Sequence, residues 1–259
     1  MNKEKNHTLL NGLALIALRP ASELRTLKRR VESAGGRLYS APVLQRQRLH
    51  STEMLSRLQQ AARAEIAIFT SRFAVDAAGQ LGDLAGFQGV QLAVGASTAA
   101  ALRRARAPRV QFPPEAANSE ALLAMEILRS ARCVWLLGGE GGRGLIDREL
   151  ASRGCRVERI DLYRRRPRRL PANQRRRLLT LSAPCLLAVS SLEALDAWLG
   201  DRELAAASLS WPLLVASPRI AEAAAARGLS VARVAASARP DDLFAALIGH
   251  PRGAPPASS

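Results

Sequence analysis

Hydroxyl, glycine and arginine residues gather where the short apolar runs of this chain stop. Arg19 follows the run 13–18, Thr70-Ser71 follows Ile66-Ala67-Ile68-Phe69, and Gly95-Ala96-Ser97-Thr98 follows Val90 to Val94. Gly138 to Arg143, Ser190-Ser191 and Ser217-Pro218-Arg219 hold the same position after three later runs. Hydroxyls, accessible backbone N–H groups and guanidinium groups bind carboxylates and phosphates without reacting with them. Ser and Thr at such places also cap helices, and capping alone accounts for roughly half of them. Other chemistries lack their parts. Histidine occurs only at His7, His50 and His250, none of them after a run, so a Ser-His or Cys-His pair has no base. Cys133, Cys155 and Cys185 are scattered and odd in number, which predicts neither a disulfide framework nor a metal site. Gly139-Glu140-Gly141-Gly142-Arg143-Gly144 fits G-x-G-x-x-G, with Asp161 placed like a ribose-binding acid. Glu140 would set a carboxylate in the phosphate turn and the unit lies mid-chain, so a dinucleotide enzyme stands as an alternative reading. A P-loop is excluded because no Gly-Lys-Ser/Thr follows the glycines.

The elements that must position these residues alternate along the chain. Strands are predicted at 13–18, 66–71, 90–95, 109–112, 133–137, 155–163, 185–190, 213–216 and 231–234. Helices are predicted over 24–34, 51–63, 97–105, 119–130, 145–153, 192–199, 220–227 and 241–248, and 37–44 reads as extended. Such alternation predicts an α/β fold with parallel sheets covered by helices on both faces, in which ligands sit outside the carboxyl ends of the strands. A chain of 259 residues accommodates two lobes of this kind, each Rossmann-like or flavodoxin-like. No apolar run approaches the roughly 18 residues of a membrane span, and no signal-peptide core precedes Gly12, so a cytoplasmic protein is expected. Lys and Arg number 38 against 22 Asp and Glu, a formal net charge of +16, with the densest block at Arg164, Arg165, Arg166, Arg168 and Arg169. An anionic partner follows. Nucleic acid is a second alternative, weakened by an aromatic content of 4%, which leaves few platforms for stacked bases.

In their order, these strand-end segments resemble the uroporphyrinogen-III synthase family from about Leu13 to Ile248. The residues carrying the resemblance are Arg19-Pro20, Phe69-Thr70-Ser71 with Ala74-Val75, the run Val94 to Leu102, and Ser119 to Leu123. Gly139 to Arg143, Tyr163-Arg164-Arg165, Ser190 to Leu195 and the segment Ala221 to Gly228 complete the set. Each segment is weak alone; their joint order is specific.

The resemblance implies a discontinuous first lobe, 1–40 plus 168–250, a second lobe over 45–158, and extended connectors at 41–44 and 159–167; the Pro-, Ser- and Ala-rich composition of 251–259 predicts a disordered tail. It implies a cofactor-independent hydro-lyase that cyclises hydroxymethylbilane to uroporphyrinogen III with loss of water and inversion of the last pyrrole ring. The substrate is an octacarboxylate, which suits the basic, hydroxyl-rich strand ends. On this reading Tyr163 is the catalytic residue, because a phenol is protonated at neutral pH and donates to a leaving hydroxyl. Arg19, Thr70, Ser71, Ser97, Thr98, Gly139, Gly141, Arg143, Arg164, Ser190, Ser191, Ser217 and Arg219 are the expected substrate-binding residues. A monomer that receives its substrate from hydroxymethylbilane synthase is expected, with neither membrane nor nucleic acid as partner. The chain departs from the family pattern at Phe73, where asparagine is common, at Gly138, where arginine often stands, and at Pro218-Arg219-Ile220.

Overall fold

A computed structural model describes residues 9–114, 118–141, 144–182 and 184–249, and divides them into two compact units. Unit 1 comprises Met1–Gln45 and Pro167–Ser259, and unit 2 comprises Arg46–Arg166. The predicted disordered tail at 251–259 lies outside the described residues. Both units are α/β. Among the described residues, no helix is long and apolar enough to cross a membrane.

Unit 1 is built on β1 (Ala14–Ala17), β2 (Arg37–Ser40), β9 (Cys185–Val189), β10 (Leu213–Val215) and β11 (Val231–Val234), in the order β2-β1-β9-β10-β11 with every pairing parallel. Strands β1 and β9 are buried along their whole length, as expected of central strands covered on both faces. Helix α1 (Ala21–Ser33) turns Leu24, Leu27 and Val31 onto the sheet, and Gly35, at φ 84°, ends it in the left-handed conformation that favours glycine. The remaining helices are α7 (Ala172–Leu179), α8 (Leu192–Leu199), α9 (Arg202–Ser208), α10 (Pro218–Ala225) and α11 (Pro240–Leu247). In this order the sheet reverses direction between β1 and β9.

Unit 2 carries the sheet β3-β8-β7-β4-β5-β6, with β3 (Leu44–Arg48) and β8 (Arg156–Pro167) leading to β7 (Cys133–Gly139), β4 (Ile66–Phe69), β5 (Val90–Ala93) and β6 (Val110–Gln111). The pairings from β8 through β6 are all parallel. Side chains alternate across this sheet. Ala67 and Phe69 join one core with α2 (Thr52–Arg63), α3 (Arg72–Leu81) and α4 (Ala96–Arg104). Ile66 and Ile68 join a second core with α5 (Ser119–Leu123) and α6 (Leu145–Ser152). The reversal of strand order falls between β4 and β7.

Three sequence expectations about elements change. The extended segment 37–44 is two strands, β2 and β3, in different sheets. The helix over 119–130 stops at Leu123 and a separate 3-10 turn covers Glu126–Leu128, because Met125 between them is extended at ψ 134°. Strand β8 does not lapse at the arginine block but runs through it to Pro167. There Gln47 of β3 accepts from Nε of Arg164 at 3.0 Å and of Arg166 at 3.2 Å.

Candidate active site

The point of reversal in unit 2 brings together the carboxyl ends of β4, β7 and β8. Thr70 extends β4, its N–H donating to the Leu137 carbonyl at 3.0 Å. Ser71 accepts from the Ala74 N–H at 3.2 Å and so caps α3. Gly138 is glycine for a local reason: a Cβ there would lie 2.6 Å from Thr70 Oγ1.

A shift of register sets Tyr163. Down β8, Cys133 to Gly138 of β7 face Arg156 to Asp161 one for one, but Gly139 faces Tyr163 and skips Leu162. Strand periodicity alone would place Tyr163 on the face of Arg159 and Asp161. The bulge turns it instead into the core that already holds Ile160 and Leu162. There the ring is 2% exposed, meets Phe73 edge-on with centroids 4.8 Å apart, and would lie 2.6 Å from a Cβ at Gly139. Its hydroxyl is 3.2 Å from Ser71 Oγ. Phe73, one of the departures from the family pattern, therefore walls Tyr163, and the guanidinium of Arg48 stacks 5.0 Å above the Phe73 ring.

Arg159, which the sequence did not single out, fixes the glycine turn from the opposite face. Its Nη2 donates to the carbonyls of Gly139 at 2.7 Å and Gly141 at 3.0 Å, Nε to Asp161 at 2.7 Å, and Nη1 to Asp147 of α6 at 3.0 Å. The Glu140 N–H completes the anchor by donating to the Tyr163 carbonyl at 2.7 Å. Asp161 thus pairs with Arg159 and helps to hold the glycine turn. A signal was present in the sequence, since Arg159 and Asp161 share a strand face by period two, but the second carboxylate on Arg159, Asp147, is brought there only by the fold.

The other expected residues are placed as follows. Ser97, exposed, and Thr98, buried, occupy the first turn of α4 beyond the Gly95 cap, after β5, the strand that pairs with β4. Gly141 is exposed at φ 72°, and Arg143 lies outside the described residues. Arg164 spends its Nε on Gln47. In unit 1, Ser190 and Ser191 end β9, where Ser191 caps α8 through the Ala194 N–H at 3.2 Å. Ser217 precedes α10 without capping it, and Arg219 is exposed in that helix's first turn. Arg19 donates to Glu23 at 3.3 Å and to the Ala238 carbonyl at 3.0 Å. Among the described residues there is no group of three or more His, Cys, Asp or Glu able to hold a metal. Among the described residues, the ends of β4, β7 and β8 in unit 2 bring together hydroxyls, backbone amides and one enclosed phenol, with Arg159 paired to carboxylates beside them.

The family model of uroporphyrinogen-III synthase HemD matches residues 25–245. In fold, the chain is similar to a uroporphyrinogen-III synthetase from Helicobacter pylori, with a TM-score of 0.59 at 13% identity, covering 89% of this chain and 96% of that one. It is also similar to a mutant uroporphyrinogen III synthase from Thermus thermophilus, with a TM-score of 0.52 at 20% identity, covering 92% of this chain and 97% of that one.

Proposed function

The chain belongs to the uroporphyrinogen-III synthase family, and from that premise we propose that it closes hydroxymethylbilane into uroporphyrinogen III as a hydro-lyase that uses no cofactor. The observation that carries this reading is the family match over residues 25–245.

The chemistry asks for two things. The terminal hydroxyl must leave with a proton, giving an electrophilic azafulvene, and the chain must be folded so that the last pyrrole attacks through its substituted carbon. A spiro intermediate then fragments and recloses with that ring inverted. Ring closure is already intramolecular, so holding the chain in the geometry in which the substituted carbon attacks decides which isomer forms. Proton donation adds about 10²–10⁴-fold. Tyr163 supplies the proton, supported by its enclosure and by its bond to Ser71. Thr70, Ser97, Thr98, Gly139 and Gly141 in unit 2, and Ser190, Ser191, Ser217 and Arg219 in unit 1, offer hydroxyls, amides and charge to the acetate and propionate arms. Arg19 and Arg164 contribute less directly, since each already has an intramolecular partner. On this reading the protein works in the cytoplasm and takes its substrate from hydroxymethylbilane synthase.

Protein stripped with chelator and dialysed should consume fresh hydroxymethylbilane well above the spontaneous rate, with no gain on adding NAD or FAD. A rate that appears only with added dinucleotide would instead favour the Rossmann reading.

A further inference from the structure

The acid has no direct way out. Tyr163 is 2% exposed, with Phe73 against its ring edge, the guanidinium of Arg165 5.9 Å from its centroid and the Gly139 backbone beneath. The neighbour that its hydroxyl does reach is Ser71, which is only partly buried. A serine hydroxyl has one proton and two lone pairs. The Ala74 N–H, which can only donate, takes one lone pair at 3.2 Å.

We propose that Tyr163 donates to the second lone pair and that Ser71, with both acceptor positions filled, presents its single proton to the leaving hydroxyl of the substrate. Ser71 is then the catalytic residue that touches the reacting oxygen, and Tyr163 is the reservoir behind it. The proposal rests on the synthase reading given above. As the carbon–oxygen bond breaks with both electrons on oxygen, the Ser71 proton completes a water molecule. The Tyr163 proton moves to Ser71 Oγ, and a phenolate remains. When the reclosed macrocycle loses its surplus proton from the newly bonded pyrrole carbon, that proton returns through Ser71 to Tyr163. The net change is loss of one water. Ser71 is also the N-cap of α3 and the Tyr163 hydroxyl lies 3.2 Å from it, so the positive end of the helix dipole favours the transient anion.

The test is a double-mutant cycle read as kcat and KM for isomer III. Ser71→Ala and Tyr163→Phe should each lower kcat about 100-fold with KM within about threefold of wild type. The double variant should fall no more than about threefold below the slower single one, because the two hydroxyls act in series. Ser71→Asn retains a helix-capping side chain but carries no hydroxyl; it should fold like wild type and be as slow as Ser71→Ala. Ser71→Thr, which restores the hydroxyl, should recover to within about tenfold of wild type. Wild-type kcat in a folded Ser71→Asn protein, or a double variant whose loss is the product of the single losses, would overturn the relay. A wild-type protein that forms no isomer III would overturn the synthase reading instead.

Discussion

At the scale of single residues, the site depends on glycines that make room and on one strand irregularity that aims a tyrosine. Gly139→Ala would push a methyl group to 2.6 Å from the Tyr163 ring. Over-packing of this kind costs about 1–3 kcal/mol. Thermal unfolding should show a Tm several degrees lower, together with slower turnover from a displaced phenol; an unchanged Tm would mean that the ring has space to yield. The thiols give a second prediction. Burial, with the neighbouring Cys133 in the case of Cys155, pushes the Cys155 and Cys185 thiols above their ordinary range. The thiolate is the reactive form, so at pH 8 both should react with a disulfide reagent at least about tenfold more slowly than free cysteine, and faster as pH rises. Rapid labelling of either at pH 8 in folded protein would contradict this. Thr70, Ser71 and Tyr163 were legible in the sequence as types and order. That they meet was not, because the skipped residue at Leu162 leaves no trace in composition or periodicity.

At the scale of elements, the strongly apolar strands and the helices with regularly spaced apolar residues were legible, while α3, α7 and α9 were not. Helix α7 turns only Leu178 fully inward, so its sequence, Ala-Asn-Gln-Arg-Arg-Arg-Leu-Leu, carries too little periodicity to mark it. Helix α3 went unread: it begins at Arg72, directly after the predicted strand 66–71, and no element was assigned there. Helix α9 went unread because alanines dominate it. Its position is held by a buried bridge: Trp198 of α8 donates from Nε1 to Ser208 Oγ at 2.5 Å, and Ser208 donates on to the Leu204 carbonyl at 2.7 Å. Trp198 is fully buried, so Ser208→Ala strands an indole N–H away from water. That should cost about 1–3 kcal/mol in denaturant unfolding, with the slope unchanged. A loss below a few tenths of a kcal/mol would show that the two helices are held by packing alone.

At the scale of the whole molecule, the alternation of strand and helix made the α/β class readable, but strand order was beyond it. Which strands pair depends on contacts between segments as distant as β1 and β9, or β4 and β7. Those orders matter, because each sheet's reversal marks where hydroxyls and helix starts converge. The net charge of +16 pointed to an anionic partner, and Arg19, Arg159 and Arg164 all have partners inside their own units. The account's central claim concerns which ring ends up inverted. The most direct measurement incubates limiting protein with freshly prepared hydroxymethylbilane and resolves the uroporphyrinogen isomers by chromatography after oxidation. Isomer III should dominate, in proportion to protein added; isomer I alone, at the rate seen without protein, would contradict the account.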